Sequence, residues 1–319
     1  MFNLQYPHEQ KMSTSYVAMV YGKPGVGKTT LAVSAKNPVI LDFDRGLGRI
    51  DNPNFWIPKL EISDYQEVTE FLKSKEIDMF DTIIIDTVSS CVDCMTMFLL
   101  ETNQKIAETN KKSDKISQSN GALTLRGFSE LRAMIANFTR LLRSKNKNVI
   151  FVAHEKEEDD GEAHKVIRPD LGQGSGGREL IKFTDILGYM SIEGGKTMLT
   201  VKPYDDKIIG KNSFGLPNKM EISNPNDIGR NVWFQSVIDK FLEKKADNVK
   251  KMRTCYDDIC DKINSIIDED TCNDVYKFIV SNSDYANVIG WKKDLQDKVK
   301  SIGLIFNKEK ERFESPCIQ

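Results

Sequence analysis

Short apolar runs rich in β-branched residues alternate along the chain with segments whose apolar positions recur every three or four residues, and the alternation starts almost at the N-terminus. Four runs read as buried strands: YVAMVY (16–21), PVILDF (38–43), DTIIID (81–86) and NVIFVA (148–153). Between them, helical spacing predicts Thr29–Lys36, Tyr65–Lys75, a long helix from Thr87 to about Lys105, and Leu123–Ser144. Strands that alternate with helices make a mostly parallel sheet, because parallel neighbours need a long crossover connection.

The pattern changes after Lys156. EEDDGEAHKVIRPDLGQGSGGREL is polar and glycine-rich and reads as a hairpin tip followed by a loop. DILGYMSI and KTMLTVKPY then alternate with period two and meet at Gly194-Gly195, which predicts an antiparallel hairpin at one sheet edge. From about Asn231 the spacing is helical to the end, so the expected organisation is an α/β domain over 1–230 and a small helical region over 231–319.

Composition excludes more than it assigns. With 319 residues, 39% hydrophobic and 29% charged, the chain can bury a sizeable core. A formal net charge of −2 gives no global attraction to nucleic acid, so any such binding rests on local patches. No run approaches the roughly 20 apolar residues of a membrane span and the first residues lack a leader's apolar core, so a cytoplasmic protein with no membrane partner is expected. Of six cysteines only Cys91 and Cys94 form a CxxC, without a second pair at zinc spacing, and they read as helical thiols.

The strongest chemistry lies in GKPGVGKTT, which matches G-x-x-x-x-G-K-[ST] between an apolar strand and a helical pattern. Gly22, Lys23, Pro24, Gly25, Val26, Gly27, Lys28, Thr29 and Thr30 form the expected nucleotide cradle, with backbone N–H groups curled toward phosphate oxygens. Lys28 should reach the β- and γ-phosphates, and Thr29 should offer its hydroxyl to Mg²⁺. Asp86 ends a strand expected beside the P-loop strand, where it would anchor Mg²⁺, a role compatible with capping the helix that follows. No N-K-x-D or suitably placed D-x-x-G reads guanine, so ATP is the expected nucleotide.

Many ATPases carry their catalytic glutamate directly after the strand-end aspartate, where this chain has Thr87. VILDFDRGLG puts Asp42 and Asp44 at the same sheet edge, and either could orient and deprotonate water, although plain turn chemistry also places aspartate there.

A P-loop, then a strand ending acid-x-acid, then a strand ending Asp-Thr, then a strand ending in a polar residue resembles the layout of RecA-like ATPases. More closely, GKPGVGKTTLA, DTIIIDTVSS and VAHEK are similar to phage-encoded core-only RecA relatives, several of which are single-strand annealing recombinases; the likeness covers residues 16–215. It implies Asp44 as the catalytic acid, one methylene shorter than the family's glutamate, and His154 as the γ-phosphate sensor, with a titration near neutral pH. It also implies DNA recombination on single-stranded DNA, in the bacterial cytoplasm for a phage protein, by a homo-oligomeric ring or filament with a single-strand-binding or replication protein as partner. Two loops would touch the DNA, 110–126 with Lys111, Lys112, Lys115 and Arg126, and 165–178 with Lys165, Arg168 and Arg178. Lys202 and Lys211 would reach a neighbouring subunit's γ-phosphate. An AAA+-type helicase loader or remodelling ATPase is the alternative, as is a nucleotide-dependent switch acting on a protein partner.

Overall fold

The computed structural model describes residues 6, 9, 15–46, 57–109, 116–118, 121–159, 165–172, 177–202, 207–223, 233–281, 290–308 and 310–315. The chain divides into two compact units, Ser13–Phe241 and Leu242–Gln319 with Met1–Met12.

The first unit is built on one sheet. Its strands are β1 (Val17–Gly22), β2 (Pro38–Asp42), β3 (Lys59–Glu61), β4 (Thr82–Asp86), β5 (Asn148–Asp159), β6 (Lys165–Pro169), β7 (Ile186–Glu193), β8 (Lys196–Thr200), β9 (Lys211–Asn212) and β10 (Lys219–Ile222). The order is β10-β8-β7-β1-β5-β4-β2-β3, parallel from β7 to β3, with β8 and β10 antiparallel at one edge. This is the mostly parallel α/β sheet with an antiparallel edge that was expected, including the β7–β8 hairpin turning at Gly194 and Gly195 with φ of 55° and 80°.

Burial on both faces explains why the central strands are continuous apolar runs; all five residues of β4 are buried. On one face Met19, Tyr21, Leu41, Ile83, Ile85 and Phe151 pack with α2 (Tyr65–Lys73), α3 (Val88–Thr109) and α4 (Leu125–Ser144) through Leu72, Val92, Met95, Ile135 and Phe138. On the other lies α1 (Lys28–Ala32), shorter than the spacing suggests: Ser34 donates to the carbonyl of Leu31, and Asn37 adopts φ 40° ahead of β2. β5 is buried through Ala153 and then projects out to pair with β6, forming the expected hairpin.

The first unit runs past residue 230, the limit expected from the pattern. The first turns of α6 (Trp233–Asn264) belong to it, because Phe234 and Ile238 are buried, the Phe234 amide donates to Ser34 Oγ at 3.1 Å and the Phe234 ring packs on Tyr16.

The second unit has its own core, formed by Ile259, Ile263 and Ile266 of α6 and the residues following it, Cys272 and Val275 of α7 (Glu269–Ser281), Trp291 and Leu295 of α8 (Trp291–Ser301), and Phe313 of the small hairpin β11 (Ile305–Asn307) and β12 (Arg312–Glu314). The two-stranded hairpin had no counterpart in the helical reading of this region.

Candidate active site

The C-terminal ends of β1, β2, β4 and β5 converge on a cleft of about 360 Å³ lined by the P-loop, Asp42, Asp44, Asp86, Thr87 and His154. Ligands in open α/β sheets sit beyond this edge, where neighbouring crossovers part. The P-loop curls by backbone conformations suited to glycine, with φ of 154° at Gly22, 80° at Gly25 and 91° at Gly27. At Gly22 a Cβ would lie 2.4 Å from the Met190 carbonyl oxygen, so β7 also demands glycine there.

Lys28 is 6% exposed and donates to the carbonyls of Gly22 at 3.0 Å and Lys23 at 2.8 Å. Burial lowers its pKa, opposed by the carboxylates of Asp86 and Glu155. Those bonds hold the ammonium at the base of the cradle, within the loop that would wrap phosphate.

Asp86 lies across from it. Its Oδ2 accepts from Thr29 Oγ1 at 2.7 Å, which joins the two residues expected to serve Mg²⁺. Contrary to expectation, β4 does not neighbour β1: β5 lies between them, and Asp86 is in register with Val152 on one side and Asp42 on the other. Side-chain reach across the sheet edge, not strand adjacency, makes the pair. Burial pushes the Asp86 pKa up to about 6; the Thr29 hydrogen bond opposes this, Asp44 and Asp42 add to it, and Lys28 opposes it. The Asp86–Thr87 peptide is cis.

The site suits Mg²⁺ by that electrostatic test: a buried carboxyl hydrogen-bonded to a hydroxyl, beside two further carboxylates, gains most from a divalent cation. Among the described residues no group of three or more His, Cys, Asp or Glu side chains is placed to hold a metal.

Asp42 is 2% exposed and accepts from the Gly46 amide at 3.3 Å, whereas Asp44 is exposed at the cleft's mouth and accepts from Ser90 Oγ. Of the two acids, Asp44 can meet water. Ser90 was not singled out by sequence reasoning; it lies within DTVSS, but nothing in that string says that its hydroxyl meets Asp44.

His154 stands opposite Gly22 in the β1–β5 register. Its Nδ1 is buried with no hydrogen-bond partner among the described residues. Burial lowers its pKa and the Lys28 charge lowers it further, so the expected titration near neutrality is displaced to the acid side and the ring is neutral at pH 7.

The other expected residues that the structure describes do not line the cleft. Lys111, Lys112 and Lys115 lie outside the described residues, and Arg126 and Arg178 are exposed. Lys165 pairs with Glu157 at 3.2 Å and Arg168 with Glu158 at 3.4 Å across the β5–β6 hairpin, so these cations are already opposed by their own strand partner. Lys211 donates to the carbonyls of Lys182 and Thr184 at the C-terminal end of α5 (Gly177–Phe183), a capping role; Lys202 is exposed.

Residues 14–214 match the family model described as AAA domain. The chain is 25% identical over 201 residues to the SPbeta prophage-derived protein YorG of Bacillus subtilis (strain 168), a match covering 60% of this chain and 56% of that protein, so the chain spans little more than half the length of the curated relative. Among solved structures it is similar to the flagellar accessory protein FlaH of Methanocaldococcus jannaschii (11% identity, TM-score 0.35, covering 65% of this chain and 84% of that one). It is also similar to the RadB recombinase (16%, 0.35, 58% and 79%) and a KaiC-like protein of Pyrococcus horikoshii OT3 (9%, 0.33, 58% and 77%). Among the described residues no helix is long and apolar enough to cross a membrane.

Proposed function

Because the chain belongs to the AAA domain family, we propose that it is a Mg²⁺-dependent ATPase whose hydrolysis is coupled to single-stranded DNA. The observation that carries the ATPase reading is the convergence of Lys28, the Thr29–Asp86 pair and Asp44 on one cleft. The P-loop amides and Lys28 would hold the β- and γ-phosphates, and Thr29 with Asp86 would hold Mg²⁺, which would supply charge neutralisation of the phosphates. Asp44 takes a proton from the water whose oxygen attacks the γ-phosphorus as the bond to the bridging oxygen of ADP breaks. Neutral His154 donates a hydrogen bond toward the γ-phosphoryl oxygens without adding charge beside Lys28.

The DNA arm rests on the likeness to core-only RecA relatives and on the prophage origin of the curated relative. Arg126 and Arg178 are exposed candidates for its contacts, and Lys165 and Arg168 would have to exchange Glu157 and Glu158 for phosphate. A homo-oligomer completing the site would show a specific activity that rises with protein concentration. The family's description as an AAA domain favours a second reading, a helicase loader or remodelling ATPase.

Phosphate release with and without a single-stranded oligonucleotide separates these. Stimulation by the oligonucleotide alone supports the first reading, and stimulation solely by a replicative helicase supports the second; binding without turnover leaves a nucleotide switch. Lys28→Ala should lower turnover by roughly a hundredfold under either ATPase reading, as loss of a transition-state charge partner does.

A further inference from the structure

Asp44 presents a mechanical problem. It is exposed, it follows the end of β2 in a non-helical stretch, and the next residue, Arg45, has φ 53°. A carboxylate on such a segment rotates freely unless something holds it, and a catalytic base must be held to within a fraction of an ångström.

Ser90 supplies the hold. Its hydroxyl donates to Asp44 Oδ1, and its own oxygen lies 3.1 Å from Thr87 Oγ1. With the Ser90 proton directed at Asp44, the Thr87 hydroxyl is the donor in that second bond, and the chain runs Thr87 to Ser90 to Asp44. Hydrogen bonds in series polarise one another. The anchor is rigid: Ser90 sits in the first turn of α3, closed by the Cys91 amide donating to the Thr87 carbonyl at 3.0 Å, and Val88, Cys91, Val92 and Met95 bury that helix in the core.

We propose that Ser90 is a positioning residue for the hydrolytic water: by occupying Asp44 Oδ1 it presents Oδ2 as the oxygen that takes the water's proton. This rests on the reading of Asp44 as the base. It also gives Thr87 a place in the chemistry, since the residue standing where other ATPases carry glutamate begins the hydroxyl chain that orients the acid used in its stead.

The test is single-turnover ATP hydrolysis with Mg²⁺ and protein in excess over ATP, so that slow catalysis is measurable, alongside ATP affinity by titration. Ser90→Ala should lower the hydrolysis rate constant about tenfold with ATP affinity within about twofold, and Ser90→Thr, which keeps the hydroxyl, should restore the rate to within about threefold. Asp44→Asn is measured in parallel. An impaired Asp44→Asn with an unimpaired Ser90→Ala overturns the positioning role and leaves the base in place. An unimpaired Asp44→Asn overturns both. A Ser90→Ala variant that loses affinity and rate together, without rescue by threonine, overturns the proposal in favour of a merely structural serine.

Discussion

At the scale of single residues, the active cleft is a place where stability is given up for chemistry. Asp86 is buried among other carboxylates, and its pKa near 6 stands above the ordinary 3.8. Between those values the folded chain holds a proton that the unfolded chain has released, so stability falls as pH rises from about 4 to about 6, and the deficit persists above. The full shift corresponds to roughly 3 kcal/mol as an upper bound. Asp86→Asn keeps an acceptor for Thr29 and removes the charge. It should melt several degrees higher than the unaltered chain at pH 7, converge with it near pH 4, and lose Mg²⁺-dependent turnover; thermal melts at the two pH values check this. The P-loop motif named Lys28 and Thr29 and the strand end named Asp86, but the hydrogen bond from Thr29 to Asp86, the His154 Nδ1 without a partner among the described residues and the grip of Ser90 on Asp44 arise from residues far apart in the chain, and no local spacing encodes them.

At the scale of elements, local chemistry decides where helices begin and how closely strands approach. Asp64 accepts from the Gln66 amide while Glu67 reaches back to the amide of Asp64, a capping box for α2. Asp64→Ala should cost about 1 kcal/mol in chemical unfolding with turnover unchanged, because the cap lies outside the cleft. Gly22→Ala is the contrasting case: the added methyl would meet the Met190 carbonyl at 2.4 Å, so β1 and β7 must part. It should destabilise by about 2 kcal/mol and weaken nucleotide binding together, measured by unfolding and by titration. The central strands were readable because burial on both faces leaves uninterrupted apolar runs, as in TIIID. β3, the short β9 and β10 were not, since three exposed or half-exposed residues such as KLE carry no period. α5 was hidden behind a glycine-rich stretch, and the order of strands, with β5 between β1 and β4, is set by long-range pairing that local pattern does not report.

At the scale of the whole molecule, every residue assigned to the nucleotide cleft lies within Ser13–Phe241, and the first turns of α6 belong to that unit through Phe234 and Ile238. A chain ending at Phe241 should therefore bind ATP as the full chain does, whereas one ending at residue 230 should be less stable for want of the Phe234 contacts. The helical pattern put a change of character near 231 but could not show that one helix, α6, begins in one unit and continues into the other. The central claim is that this cleft hydrolyses ATP with Asp44 as the base. Its most direct test is Mg²⁺-dependent phosphate release at saturating ATP by the unaltered chain and by Asp44→Asn. The account predicts turnover in the first and a loss of roughly a hundredfold in the second with ATP still bound; an Asp44→Asn chain that releases phosphate at the unaltered rate would contradict it.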